Sequence, residues 1–167
     1  LALYDSLLEV GVVPVGIETY ANSRRLEKSF RLQGADLETE YNAIEAAIQR
    51  PLVKEADFHG KAAHLSHREE DPCAVLCTMT LDNLNVSGKT RYPVGISPIV
   101  DPATGEVPVD SKGRRSYTTG MSYCPSIKKF VVMGYLPKEI ALKGKSLLIE
   151  YFNEDGDGLY PMTVQIV

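Results

Sequence analysis

Charged side chains that could bind an ionised ligand are concentrated in residues 16–61, where Arg25, Glu27, Asp36 and Glu45 lie close together in the sequence. An arginine guanidinium can hold a carboxylate through two parallel hydrogen bonds, so these residues could orient a ligand that carries a carboxylate tail. The same residues could instead form an ion-pair network that fixes a helix to the turn that follows it. We favour the structural role, because perturbed ionisable groups of this kind are common outside active sites.

Four short motifs follow one another in this stretch: residues 25–28 (RLEK), 34–37 (GADL), 44–46 (IEA) and 57–61 (DFHGK). In this order and spacing they resemble the signature of the glycine-cleavage T-protein family, the tetrahydrofolate-dependent aminomethyltransferases. The same module is fused to the C-terminus of flavin-dependent dimethylglycine and sarcosine dehydrogenases, and it recurs in folate-dependent demethylases. The resemblance covers residues 5–167, which correspond to the C-terminal half of the family's module.

The resemblance implies that tetrahydrofolate is the cofactor and that Arg25, Glu27, Glu45, Tyr117 and Thr118 contribute to its binding. Residues 117–123 resemble a tight turn of the family that faces the folate opening. The family's catalytic aspartate lies in the N-terminal portion of the module, so the resemblance implies no catalytic residue in this chain. FAD would bind only in a missing N-terminal region of a fused parent.

The chain departs from the family pattern at two places in the same stretch. The family's Arg-Asp pair, whose arginine contacts the folate tail, is matched here by Ala21 and Asn22. The family's Pro-Leu-Glu-Ala-Gly-Leu sequence is matched by residues 43–48, where Ala43 replaces the proline and Ala47 replaces the glycine. These departures weaken the expectation of folate binding and leave the expectation of the fold unchanged.

Composition gives the broad class of protein. The chain has 167 residues, a net charge of −4 and 44% hydrophobic residues, which is typical of a globular protein and argues against a nucleic-acid partner. No apolar run is long enough for a membrane span. The odd number of cysteines, at Cys73, Cys77 and Cys124, indicates reduced thiols and an intracellular protein, cytoplasmic or, in a eukaryote, in the mitochondrial matrix. Because the sequence begins at Leu1 within a helical pattern, we expect it to be a fragment of a longer polypeptide.

The first 70 residues have the patterns of helices and turns. Apolar spacing predicts an amphipathic helix over residues 1–10 and a second helix that begins near Gly16 and stops at Gln33-Gly34. Residues 12–15 indicate an extended connector or edge strand. For residues 37–50 the periodicity favours a helix, whereas the family resemblance implies a turn and then a strand, which we adopt. Asp57 is the predicted N-cap of a third helix that runs to Leu65.

After Pro72 the pattern changes to short apolar or β-branched segments separated by turn residues, at 74–81, 93–100, 130–136, 146–152 and 160–167. Such spacing is typical of a small antiparallel barrel or sandwich, and the family has a barrel here. We therefore predict an α+β fold. Residues 1–70 form helices and a strand of a mixed folate-binding domain, and residues 73–167 form a small antiparallel β-barrel.

Metal binding is the weaker interpretation of two further motifs. His59, His64 and His67 lie near two cysteines, but they lack the close ligand pairs of zinc sites. Residues 153–158 imitate the start of a calcium loop, yet the twelfth position is Val164 rather than the required glutamate, so a hairpin turn is favoured. We predict no metal site.

Two classes of function remain open at this point. The chain could be the C-terminal part of a module that handles one-carbon units from a methylated amine, with the N-terminal remainder of that module and a small-molecule carbon donor as partners. The fused, flavin-dependent parent is favoured, and a folate-dependent demethylase is a variant of the same hypothesis. Alternatively, the chain is a non-catalytic module that keeps the fold for packing between domains.

Overall fold

The computed structural model describes residues 1–81, 95–153 and 156–166 of the chain. Its helical segments lie in the first part: α1 (Ala2–Glu9), a π-helical turn (Thr19–Arg24) that leads directly into α2 (Arg25–Glu27), and α3 (Lys61–Glu69). None of the described helices has the length and apolar character needed to cross a membrane.

The second part of the chain forms one antiparallel sheet. Its strands are β1 (Ala74–Leu81), β2 (Ile99–Val100), β3 (Thr118–Cys124), β4 (Lys129–Pro137), β5 (Ser146–Asn153) and β6 (Gly156–Ile166). The sheet has six strands in the order β2-β5-β6-β1-β4-β3 and is curled into a half-barrel. At one point its two edges meet, because Pro98 and Tyr117 form an antiparallel bridge next to the hydrogen bond from the Thr118 amide to the Ser97 carbonyl (2.9 Å).

Both faces of the sheet are covered, and this explains why its strands are almost continuously apolar. Alternate residues of a strand point to opposite faces. Leu76 therefore faces one side, while Cys77 and Met79 face the other. The concave side holds the inner cluster, which contains Cys77, Met79, Leu81, Ile99, Met121, Phe130, Val132, Leu136, Ala141, Leu147, Ile149, Met162 and Val164.

The helical part packs on the outer face of the sheet. The outer cluster contains Leu26 of α2 with Tyr41 and Ala46 from the following turns, packed on Ala74, Leu76, Cys124, Val131, Met133 and Tyr135. The Leu76 amide also donates to the Glu45 carbonyl (2.8 Å). Residues before and after position 72 thus share one core. The division into domains 1–70 and 73–167 stays a prediction.

Several predicted elements of the first part are confirmed and others are wrong. The first helix is present as α1, but the second ends at Glu27, well before Gln33-Gly34. The chain reverses there because Ser29 adopts a left-handed conformation (φ 54°), and its hydroxyl accepts a hydrogen bond from Thr78 (3.0 Å). Residues 12–15 form no strand. The third helix is α3, with Gly60 rather than Asp57 at its N-cap.

Residues 37–50 form successive turns, so the predicted turn is confirmed, while the strand and the alternative helix are both wrong. Asn42 explains this result. Its side-chain oxygen accepts hydrogen bonds from the amides of Ile44 (2.9 Å) and Glu45 (3.0 Å), which replaces the pairing that a helix or sheet would provide.

In the second part, the strands at 74–81, 130–136, 146–152 and 160–167 are confirmed to within a few residues at their ends.

The predicted tight turn at 117–123 is wrong, because Thr118–Cys124 is strand β3, paired with β4. Of the predicted strand at 93–100, only Ile99–Val100 is a strand, and residues 93 and 94 lie outside the described part. The hairpin between Asn153 and Gly156 is confirmed by their pairing. The described residues thus confirm an antiparallel sheet that is curled into a half-barrel, and the closed barrel stays a prediction.

Candidate functional site

The first polar cluster of the outer face is built around the carboxylate of Asp36, whose side chain is completely buried. Arg25 donates to Asp36 Oδ2 at 2.5 Å, and the Leu32 amide donates to the same oxygen at 2.7 Å. The other oxygen accepts a hydrogen bond from the Thr119 hydroxyl of β3. Asp36 therefore joins α2, the turn after it and the sheet.

The remaining hydrogen bonds of Arg25 are also made within the chain. Its Nε donates to the carbonyl of Ala21 (2.6 Å), and Nη1 also reaches the carbonyl of Phe30 (3.2 Å). Its guanidinium lies directly over β3 at Gly120, where a Cβ atom would be only 2.8 Å from Nη2. Nη1 of the guanidinium that could have bound a ligand carboxylate is thus bound to an internal one.

The second polar cluster is centred on Arg114, which precedes β3. It donates to Glu45 from Nη2 (2.5 Å) and Nη1 (3.2 Å), and to Asp110 from Nε (2.7 Å). Glu45 is buried and also accepts from the Asn42 amide (3.1 Å). Arg114 donates further to the carbonyl of Glu40. This cluster fixes the turn at residues 40–46 to the loop that leads into β3.

Aromatic rings extend the second cluster into the outer core. The guanidinium of Arg114 lies 4.2 Å from the centroid of the Tyr41 ring, and Tyr41 stacks on Tyr135 with 3.5 Å between centroids. The Tyr135 hydroxyl donates to the Asp36 carbonyl (2.7 Å), so the stack links the two polar clusters. Burial raises the pKa of both tyrosines above their usual value.

Opposing influences set the ionisation of the two carboxylates around Arg114. Burial alone would raise the pKa of Glu45, but the hydrogen bonds and charge of Arg114 and the Asn42 amide outweigh it and hold that pKa below its usual value. Burial alone would also raise the pKa of Asp110. The hydrogen bonds from the backbone and side chain of Arg114 and from the Lys112 amide outweigh burial, so that this pKa is lowered. Both groups are therefore carboxylates at neutral pH.

Glu27 lies apart from both clusters. It accepts hydrogen bonds from Arg24 (2.9 Å) and from the Ser126 amide (3.0 Å), which belongs to the hairpin between β3 and β4. The Ser126 amide is the main cause of its lowered pKa. Glu27, Arg25 and Lys28 contribute to the wall of an open cavity of about 560 Å³, which is also lined by Tyr20, Arg24, Phe30, Ser126 and Ile127.

The other two predicted cofactor residues lie at the start of β3. Thr118 is buried, and its hydroxyl oxygen accepts a hydrogen bond from the Ser97 amide (3.0 Å). Tyr117 forms the bridge to Pro98, and burial followed by the charges of Glu40 and Glu38 raises the pKa of its phenol.

The five predicted residues therefore do not form one cofactor cradle. Arg25 belongs to the first cluster and Glu45 to the second, while Glu27 and Thr118 have separate partners. Four of the five have hydrogen-bond partners within the chain, and the role of all five in folate binding stays a prediction.

Sequence reasoning missed three residues that complete the clusters: Arg114, Asp110 and Tyr135. A usable signal was present for the first two. Asp110 precedes Gly113 (φ 83°) and Arg114 in a turn, and its carboxylate accepts hydrogen bonds from the amides of Lys112 and Arg114, both at 2.9 Å. An aspartate followed by glycine in such a spacing predicts a side-chain-stabilised turn.

The cysteines and histidines do not contribute to either of the two polar clusters. Cys77 and Cys124 are buried in the inner and outer clusters, and burial raises their thiol pKa to about 12 and about 11. Both are therefore protonated core side chains at neutral pH. Within the described residues, no group of three or more histidine, cysteine or carboxylate side chains is arranged to hold a metal ion.

Comparisons with known proteins give relatives over almost the whole chain. It is 31% identical over 178 residues to mitochondrial dimethylglycine dehydrogenase of Rattus norvegicus, an alignment that covers 98% of this chain and 18% of the dehydrogenase. It is 29% identical over 150 residues to an aminomethyltransferase of Koribacter versatilis, covering 87% of this chain and 35% of that enzyme. No protein-family model matches the chain.

The fold has a counterpart among solved structures. The crystal structure of glycine cleavage system aminomethyltransferase T from Bartonella henselae matches with a TM-score of 0.72 and 23% identity, covering 99% of this chain and 42% of that one. This chain thus spans well under half the length of the relatives it matches. The resemblance found in the sequence is confirmed: the chain is homologous to a segment shared by T-protein aminomethyltransferases and dimethylglycine dehydrogenases.

Proposed function

We propose that this chain is the C-terminal part of a tetrahydrofolate-dependent aminomethyltransferase-like module in one-carbon and methylated-amine metabolism. We further propose that its parent is a flavin-dependent dehydrogenase of the dimethylglycine or sarcosine type. The observation that carries both proposals is the match to dimethylglycine dehydrogenase over 98% of this chain and 18% of that enzyme. The parent would work in the cytoplasm or, in a eukaryote, in the mitochondrial matrix.

The role proposed for this chain within the module is to support the folate site. Its buried carboxylates Asp36 and Glu45 are paired with arginines of the chain itself, so they offer little to a ligand. The remainder of the parent would supply the catalytic aspartate, most contacts to folate and the whole FAD site. Folate would supply the acceptor for the one-carbon unit, and the curled sheet would belong to a small barrel in the complete module.

A second candidate is a module that binds no folate and serves packing between domains. Two observations favour it: Ala21 and Asn22 replace the family's Arg-Asp pair, and Nη1 of Arg25 is bound to Asp36. A folate-dependent demethylase, with a shorter parent that lacks the flavin region, is the third candidate. The match to an aminomethyltransferase over 35% of its length is compatible with such a parent.

The full-length parent, purified from its native source, separates these candidates. A yellow polypeptide several times longer than this chain is expected for the flavin-dependent parent, and a colourless one about twice as long for a transferase or demethylase. Thermal unfolding with tetrahydrofolate then tests the folate site. A ligand at about 100 times its dissociation constant adds about 2.7 kcal/mol to the free energy of unfolding. An unchanged melting temperature at saturating tetrahydrofolate would support the packing module.

A further inference from the structure

We propose that the open cavity between α2 and the hairpin that joins β3 to β4 binds a small aromatic monocarboxylate. Its volume of about 560 Å³ lies within the range of small-molecule sites, about 300–1,000 Å³. Of the five residues predicted to bind folate, Glu45, Tyr117 and Thr118 are not among the described residues that line this cavity. We place the site apart from the folate site, and binding there does not depend on the proposed function.

Contacts between distant parts of the chain hold the walls of the cavity in place. Glu27 of α2 accepts hydrogen bonds from the Ser126 amide of the hairpin (3.0 Å) and from Arg24 (2.9 Å). Nη1 of Arg24 also donates to the Ser126 hydroxyl (2.7 Å). The two walls are therefore fixed to each other by contacts made within this chain. A cavity that is already formed binds a ligand without the cost of ordering its walls.

The guanidinium of Arg25 keeps a donor group free beside this cavity. A guanidinium has five N–H donors. Nε of Arg25 donates to the Ala21 carbonyl, and Nη1 donates to Asp36 and to the Phe30 carbonyl. Within the part of the chain that the structure describes, Nη2 donates no hydrogen bond, although only 10% of the side chain is exposed. Polar groups that are nearly buried have partners as a rule, and a ligand carboxylate would provide one.

The charges on the cavity wall indicate a ligand with one negative charge. Arg25 is paired with Asp36, and Arg24 is paired with Glu27. Lys28 also lines the cavity, and it has no ion pair with any carboxylate among the described residues. One positive charge is thus uncompensated on this wall, although the whole chain has a net charge of −4. A monocarboxylate balances that charge, whereas a dianion would leave an excess of negative charge.

Apolar side chains of the cavity indicate the body of the ligand. Phe30 and Tyr20 line it and are exposed, and Ile127 contributes an exposed apolar side chain from the hairpin. Flat rings pack favourably on phenylalanine and tyrosine in offset or edge-to-face arrangements. Small-molecule sites typically combine apolar and aromatic walls with a few polar groups that fix the orientation. An aromatic monocarboxylate matches both parts of this cavity.

Isothermal titration calorimetry of the full-length parent with cinnamate tests the proposal, because cinnamate is a flat aromatic monocarboxylate. We expect saturable one-to-one binding. Cinnamamide keeps the ring without the charge, and acetate keeps the charge without the ring. Each of these two compounds should bind about tenfold or more weakly than cinnamate, since a hydrogen bond to a charged group contributes about 1.5–3 kcal/mol.

Two variants locate the binding site. Lys28→Gln removes the uncompensated charge from an exposed side chain, so its melting temperature should be unchanged while its dissociation constant for cinnamate rises about fivefold or more. Phe30→Ala should weaken cinnamate binding and leave acetate binding unaltered. Lys143→Gln is the matched control, since Lys143 is an exposed lysine that does not line the cavity, and it should bind cinnamate as the wild type does.

Three results would overturn the proposal. The first is the absence of saturable cinnamate binding to the full-length parent. The second is an equal affinity for cinnamate and cinnamamide, or for cinnamate in the wild type and in Lys28→Gln. The third is competitive displacement of cinnamate by tetrahydrofolate, which would make the cavity part of the folate site. If cinnamate binds as expected and tetrahydrofolate does not bind to the same samples, the proposed function alone is contradicted.

Discussion

Asp36 holds Arg25 on the outer face of the sheet, with 2.5 Å between its Oδ2 and Nη1 of the guanidinium. The carboxylate is completely buried and is also bound by the Leu32 amide and the Thr119 hydroxyl. Removing one partner of a buried ion pair leaves the other charge uncompensated, which is far more costly than losing a surface pair.

Asp36→Asn is therefore expected to destabilise the protein strongly. The substitution keeps the shape of the side chain but leaves the Arg25 charge unpaired, at a cost of about 3–5 kcal/mol in the free energy of unfolding. Urea unfolding followed by circular dichroism measures the change. The matched control is Asp71→Asn, which removes a carboxylate that is 79% exposed and paired with Lys138. It should cost less than about 1 kcal/mol. Equal losses for the two variants would contradict the structural role of Asp36.

Gly120 is expected to tolerate no side chain. A Cβ atom there would lie 2.8 Å from Arg25 Nη2, so Gly120→Ala must displace a guanidinium that Asp36 holds in place. Overpacking of this kind costs about 1–3 kcal/mol, measured by urea unfolding. Gly16→Ala serves as control, because no atom lies within 4 Å of the place its Cβ would take, and it should be near neutral. A stable Gly120→Ala protein would show that Arg25 moves freely.

Acid should weaken the contacts around Arg114. Glu45 and Asp110 both have lowered pKa values in the folded protein, so the unfolded state binds more protons as the pH falls. The contribution of these two carboxylates to the free energy of unfolding is complete above their pKa values in the unfolded state, about 4.3 and about 3.9. It is lost as the pH falls through their lower pKa values in the folded state.

Glu45→Gln tests the acid sensitivity. We expect a lower free energy of unfolding at neutral pH and a shallower decline between about pH 5 and about pH 2 than in the wild type. Chemical unfolding of both proteins across this range provides the measurement. Curves that run parallel at every pH would mean that Glu45 does not contribute to the acid response.

Ala47→Gly should stabilise the chain. Ala47 has a left-handed backbone conformation (φ 51°) and is exposed, so its methyl group costs energy without gaining contacts. That cost is about 1–2 kcal/mol for a residue other than glycine, and part of it is offset because glycine loses more entropy on folding. We expect a net gain of about 0.5–1 kcal/mol in thermal or urea unfolding. A loss of stability would contradict the assigned conformation.

The strands were the most predictable part of the fold. Segments such as 74–81 and 130–136 are apolar throughout because the sheet is covered on both faces, and the turn residues between them are explicit in the sequence. Thr118–Cys124 was missed, since its threonines, glycine and serine are typical of turns. They are used in β3 because Gly120 lies under Arg25 and Ser122 contacts Ser23 (3.1 Å).

The sequence predicts several of the residues in the candidate site, but it does not predict all of their ion-pair partners. The sequence placed Arg25, Asp36 and Glu45 in one group, and the Arg25–Asp36 pair is present. The partner of Glu45 is Arg114, 69 positions further along the chain. No local pattern predicts a contact at that separation, because it depends on the path of the chain across the outer face of the sheet.

The fate of the one-carbon unit in the full-length parent tests the central claim most directly. The parent is given dimethylglycine and tetrahydrofolate, and methylenetetrahydrofolate and free formaldehyde are measured under single-turnover conditions. We predict that the carbon appears on tetrahydrofolate faster than added formaldehyde reacts with it in solution. Release of all the carbon as free formaldehyde, together with no effect of tetrahydrofolate on the melting temperature, would contradict the account.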